Sequence, residues 1–78
     1  MMKVQVLGTG CAKCKALYAN VSQAAKELGI AADIEKVEDI REIARAGVMT
    51  TPALRVEGHV KAAGKVLSVE DIKKLLAN

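Results

Sequence analysis

The hydrophobic period of this chain changes between Leu7 and Cys11, and no other feature of the sequence constrains the fold as tightly. From Lys3 to Leu7 the period is two, with Val4 and Val6 on one side, the pattern of a strand. Gly8-Thr9-Gly10 follows as a turn. From Ala12 to Leu28 the apolar residues Leu17, Val21, Ala24 and Leu28 recur at spacings of four, three and four, which is one face of a helix. Gly29 is the residue expected just past its C-terminus.

The rest of the chain continues the alternation. Ala31 to Val37, carrying Ile34 and Val37, reads as a second strand. Asp39 with Glu42 three residues on has the spacing of a capping box, and Ile40, Ile43 and Ala44 make the following short helix amphipathic until Gly47 ends it. Pro52 opens a third strand, Ala53 to Val56, where a missing backbone donor does little harm. Glu57-Gly58 turns the chain back, and His59 to Ala63 returns as a hairpin strand. Ser68 followed by Asp71 marks the last helix, with Leu67 and Ile72 placed as a hydrophobic staple and Ile72, Leu75 and Leu76 on one face. The order βαβαββα predicts an α/β fold in which a mixed four-stranded sheet, its first two strands parallel, is covered by three helices. No repeat, linker or low-complexity segment interrupts it.

A chain of 78 residues has room for one hydrophobic core, so residues 1–78 are expected to form a single domain. Phe and Trp are absent and Tyr18 is the only aromatic, which leaves Val, Ile, Leu and Ala to build that core. Twelve Lys and Arg against nine Asp and Glu give a net charge of +3, but the cations are scattered from Lys3 to Lys74 with acids between them. Single-stranded nucleic acid is gripped by aromatic rings interleaved with positive charge, and one tyrosine does not supply them, so no nucleic-acid partner is expected. Met1 to Leu7 lacks the apolar region of a secretory signal and no stretch has the length of a membrane helix, so a cytoplasmic location without a membrane partner is expected. With no evident aromatic anchor for a dimer, the expected state is a monomer.

In a reducing compartment, two cysteines close in sequence point to catalysis or metal binding rather than to a structural staple. Cys11-Ala12-Lys13-Cys14 falls where the first strand gives way to the first helix. The free amides of a helix's first turn, and the positive end of its dipole, favour a thiolate over a thiol. Lys13 adds a further positive charge. Two intervening residues on a helical turn let both sulfurs reach disulfide distance while one stays open to attack. Cys11 is therefore expected to be the exposed, attacking cysteine, and Cys14, one turn inward, the one that resolves the mixed disulfide.

The CxxC at a strand-to-helix junction, this order of elements, and Thr51-Pro52 at the head of the third strand resemble the thioredoxin superfamily in its small glutaredoxin-like, redox-active disulfide form. The resemblance covers nearly the whole chain. It implies a thioredoxin-like fold and thiol-disulfide exchange with protein disulfides, a thioredoxin-reductase-like electron donor, and no bound cofactor. It also implies that the Thr51-Pro52 bond is cis, where an X-Pro bond met alone is expected to be trans, that Pro52 lies beside the CxxC, and that the backbone of Thr51 pairs with a bound substrate peptide. The chain departs from the family where Gly10 replaces the common aromatic before the first cysteine and Ala12-Lys13 stands between the two. Partner choice and reduction potential depend on those residues and do not carry over. No pattern dedicated to glutathione is present.

The loop Gly8-Thr9-Gly10-Cys11-Ala12-Lys13-Cys14 also looks like that of heavy-metal-associated domains, whose two thiolates suit a Cu(I) carrier. Those domains have a methionine in the loop and run βαββαβ, without a helix between the second and third strands. Zinc needs four ligands, and only Cys11, Cys14 and the distant His59 are soft candidates. His59 reads as a solvated hairpin residue, as do Lys61, Lys65, Lys73 and Lys74 as surface cations. Gly8-Thr9-Gly10 completes neither the dinucleotide nor the P-loop phosphate pattern.

Overall fold

Strand β1 (Met2–Leu7) organises the sheet in the computed structural model, which describes residues 2–77; Met1 and Asn78, the ends of the expected domain, lie outside the described residues. Helix α1 (Ala12–Leu28) carries the chain to β2 (Ala32–Val37), which pairs parallel with β1 from Met2↔Ala32 to Leu7↔Val37. Helix α2 (Ile40–Arg45) precedes β3 (Ala53–Val56), antiparallel to β1, and the Glu57-Gly58 turn leads to β4 (His59–Ala63), antiparallel to β3. Helix α3 (Val69–Ala77) closes the order βαβαββα. The sheet reads β2-β1-β3-β4, so the two central strands are β1 and β3.

The period of two in β1 decides what each face holds. Val4 and Val6 point to one side, where they meet Leu17, Val21 and Ala24 of α1, Leu54 and Val56 of β3, and Ile72 and Leu76 of α3 in one buried cluster. Leu7 points to the other side and joins Ala53 and Ile43, with Val37, Ala46 and Val48 packed around them. The sheet is thus covered by α1 and α3 on one face and by α2 on part of the other. The uncovered part is polar in register: Gln5 stands opposite both Glu35 and Arg55. Its amide donates to Glu35 Oε1 at 3.0 Å and its Oε1 accepts from Arg55 Nε at 2.6 Å, while Lys3 pairs with Glu35 at 3.7 Å. As composition requires, the core is aliphatic, and Tyr18 is only half-buried under the Lys36 ammonium, 4.8 Å from the ring centre.

Helix ends follow the expected chemistry, with two corrections. Gly29 is left-handed (φ 66°) and donates to Lys26 O at 3.1 Å while Ile30 donates to Ala25 O at 3.2 Å, the double bond of a Schellman end. Ser68 Oγ accepts from the Asp71 amide at 3.1 Å, and Leu67 packs on the cluster that holds Ile72. Asp39 caps α2, but its carboxylate accepts from the Arg41 amide at 2.8 Å rather than from Glu42, whose own carboxylate turns to Arg45 at 3.4 Å. Asp39 is therefore a simple N-cap, and neither reciprocal bond of the capping box is made. Nor is α2 amphipathic through Ile40 and Ala44: Ile40 is 70 % exposed, Ala44 is exposed, and Ile43 alone is buried. A six-residue helix with less than two turns reaches the sheet with one side chain only. Lys73 departs from a simple surface cation, since it bridges α3 to α1 through Glu27 at 3.0 Å and pairs with Glu70 at 3.5 Å.

Candidate active site

Leu7 is the last residue of β1, and the three residues after it lift the chain off the sheet to the start of α1. Cys11 is the N-cap: its backbone is extended (φ −68°, ψ 169°) and its carbonyl already accepts from Lys15 N at 3.0 Å. Its sulfur accepts from the Cys14 amide at 3.2 Å, so a side chain exposed to solvent meets one of the free donors of the first turn. Cys14, one turn on, is only 5 % exposed. The two are bonded as a disulfide with Cα atoms 5.0 Å apart, within the usual range for such a bridge. No acidic residue stands in the first turn of α1 to oppose a thiolate.

The second loop of the site descends onto β3. Its peptide bond Thr51-Pro52 is cis, as the resemblance implies and an isolated X-Pro bond does not. Pro52 is fully buried and Thr51 exposed. The Pro52 carbonyl accepts from Gly64 N at 2.8 Å, which ties the loop to the end of β4. Because Leu7↔Ala53 is the last pair between β1 and β3, this loop and the CxxC leave the sheet at the same end. Gly8 marks their meeting point: a methyl group placed on it would lie 3.7 Å from the Thr51 Cβ and 3.3 Å from the Cys14 Cβ. A cleft of about 30 Å³ opens beside Cys14, walled by Gly8, Gly10, Lys15, Lys36 and Glu38.

His59 takes no part in the site, being exposed and opposite Val56 at the turn end of the hairpin, away from Ala53. Among the described residues no three His, Cys, Asp or Glu side chains converge on a metal-sized space. Helix α2 separates β2 from β3, so the order is not the βαββαβ of heavy-metal-associated domains. The four residues singled out in the sequence, Cys11, Cys14, Thr51 and Pro52, lie at the same end of the sheet. Gly8 reads in the sequence only as part of a turn, because the closeness of its Cα to Cys14 comes from the tertiary packing of α1 on β1.

Comparison with known sequences adds to this geometry. The pattern described as the thioredoxin domain matches residues 2–77. The chain belongs to the thioredoxin family. A thioredoxin from Methanothermobacter thermautotrophicus is 48 % identical over 77 residues, covering 99 % of this chain and 100 % of that protein. A thioredoxin from Methanocaldococcus jannaschii is 45 % identical over 76 residues, covering 97 % and 87 % of the two chains. Within the thioredoxin family the chemistry of a disulfide at this position is thiol-disulfide exchange, and the chain is a protein disulfide oxidoreductase. Among the described residues no helix is long and apolar enough to cross a membrane.

Proposed function

We propose that Cys11 is the attacking cysteine and Cys14 the resolving one, in a single domain that acts as a monomer in the cytoplasm on protein disulfides. The observation that carries this assignment is the contrast in one helical turn between an exposed Cys11 at the N-cap and a buried Cys14 bonded to it. In the reduced protein the amides of the first turn favour a Cys11 thiolate. That thiolate attacks one sulfur of the substrate disulfide. The S–S bond of the substrate breaks, its other sulfur leaves with the electron pair and takes a proton from solvent, and Cys11 is left in a mixed disulfide. Cys14, deprotonated, then attacks the Cys11 sulfur, forms the internal disulfide and expels the second substrate thiolate. Two electrons from a thioredoxin-reductase-like partner restore the dithiol.

Thr51 and Pro52 are assigned to substrate binding. Their loop leaves the sheet beside the CxxC, Thr51 is exposed there, and buried Pro52 holds the backbone in place.

The test is to trap the intermediate. Cys14→Ser is expected to accumulate a mixed disulfide with a protein disulfide substrate through Cys11, whereas Cys11→Ser accumulates none. Accumulation in Cys11→Ser instead reverses the roles. Pro52→Ala is expected to slow exchange with a protein disulfide more than with a small one such as dithionitrobenzoate, and equal slowing for both removes the loop from substrate binding.

A further inference from the structure

Gly8 belongs to a turn, Gly8-Thr9-Gly10, that completes no phosphate pattern. Its surroundings differ from those of the other glycines. Gly10, Gly29, Gly47, Gly58 and Gly64 all have positive φ, where a side chain is strained whatever the space around it. Gly8 has no such conformation, so its backbone alone would accept alanine. What excludes a side chain is the Cys14 sulfur, which a Cβ on Gly8 would overlap.

We infer that Gly8 is a positioning residue for exchange: the bare Cα at the end of β1 is the seat of the Cys14 sulfur and favours the closed disulfide. This rests on the oxidoreductase reading above. Neither side of the contact can simply withdraw. The Gly8 amide donates to Val37 O at 2.9 Å, Leu7 before it is fully buried, and Gly8 itself is buried. On the other side Cys14 belongs to the first turn of α1, whose packing on β1 is set by Leu17 and Val21. A methyl group at position 8 must therefore be met by the sulfur. In the dithiol the Cys14 side chain is free to turn towards the cleft that borders it. In the disulfide the same sulfur is held by its bond to Cys11 and cannot turn alone. The added methyl thus destabilises the oxidised form more than the reduced form.

Gly8→Ala is expected to make the disulfide at least tenfold easier to reduce by dithiothreitol, which gives up two electrons and two protons as Cys11 and Cys14 become thiols. Tenfold corresponds to a potential about 30 mV less negative. The companion measurement is the urea midpoint of Gly8→Ala with Cys14 present and oxidised, and again in a Cys14→Ala background. The loss of stability is expected to be large in the first case and small in the second, because the truncated residue offers only a Cβ that needs to yield by tenths of an ångström. Equal losses in the two backgrounds, or failure of both to fold, would mean that Gly8 serves β1 rather than the sulfur. A redox equilibrium within twofold of wild type overturns the proposal in the same way. If Gly8→Ala unfolds and the double variant folds, the contact with the sulfur is upheld. Absence of reversible exchange in the wild-type protein would instead sink the oxidoreductase reading itself, and is read from the same titration before any variant is made.

Discussion

Cys11 is asked to begin a helix and to react. Serine, threonine, aspartate and asparagine are the usual N-caps because their oxygens accept strongly from the first-turn amides. A thiol accepts more weakly, so the 3.2 Å bond from the Cys14 amide stabilises α1 less than an oxygen would, while the same amide is available to a thiolate. The compromise can be measured. With Cys14 reduced, Cys11→Ser is expected to be more stable than Cys11→Ala by about 1 kcal/mol, since only the first retains a cap. Wild type should fall between the two in urea denaturation. Identical midpoints for the two variants would show that the helix start draws nothing from this side chain, leaving it entirely to chemistry.

Between elements, the link with the clearest pH signature joins α1 to α3. The Glu27 carboxyl is held below its ordinary value of 4.5 by hydrogen bonds, first from Gln23 and then from Lys73. Lys73 is raised above its ordinary 10.5, first by its bond to Glu27 and then by the charge of Glu70. A carboxyl with a lowered pKa contributes stability above its unfolded value and loses it as pH falls through the folded one. A raised lysine contributes stability below its unfolded value and loses it as pH rises through the folded one. Lys73→Met is therefore expected to lie below wild type by a constant amount between about pH 5 and pH 10, with the gap closing on either side. Urea midpoints measured across that range check it, and a gap that persists in acid would assign the effect to the lost packing of the lysine stem. This pair was not legible in the sequence, since Lys73 and Glu27 stand 46 residues apart and only the packing of the two helices joins them. The Gln5, Glu35 and Arg55 ladder escaped for the same reason, because it needs the register of three strands. What was legible is what local chemistry decides: the period change at Leu7, the Gly29 stop, the Ser68 cap and the hairpin at Glu57-Gly58. Asp39 and Ile40 show the limit of that reasoning, as a short helix can carry the right residues and still turn them to solvent.

At the scale of the molecule the disulfide is a small constraint on a chain that is held by its aliphatic core. It closes a loop with a sequence separation of only 3, and chain entropy removed from the unfolded state by so short a loop contributes about 2 kcal/mol. Reduction with dithiothreitol is accordingly expected to lower stability by no more than that, leaving a cooperative transition with the same urea dependence. A reduced form that unfolds without cooperativity would contradict this reading. A protein whose work is to open and close this bond gains from a fold that does not depend on it. One further feature bears on how such a molecule survives among its neighbours. Strand β4 forms a rim of the sheet, and its pairing with β3 skips from Arg55↔Val60 to Leu54↔Ala62, so Lys61 is an extra residue that breaks the ladder. A flat rim with a regular repeat of donors and acceptors would invite a foreign strand to dock and extend it. The kink at Lys61, with its cation, spoils that template along β4, so that substrates trade the disulfide at one end of the sheet without this rim offering them a strand to extend.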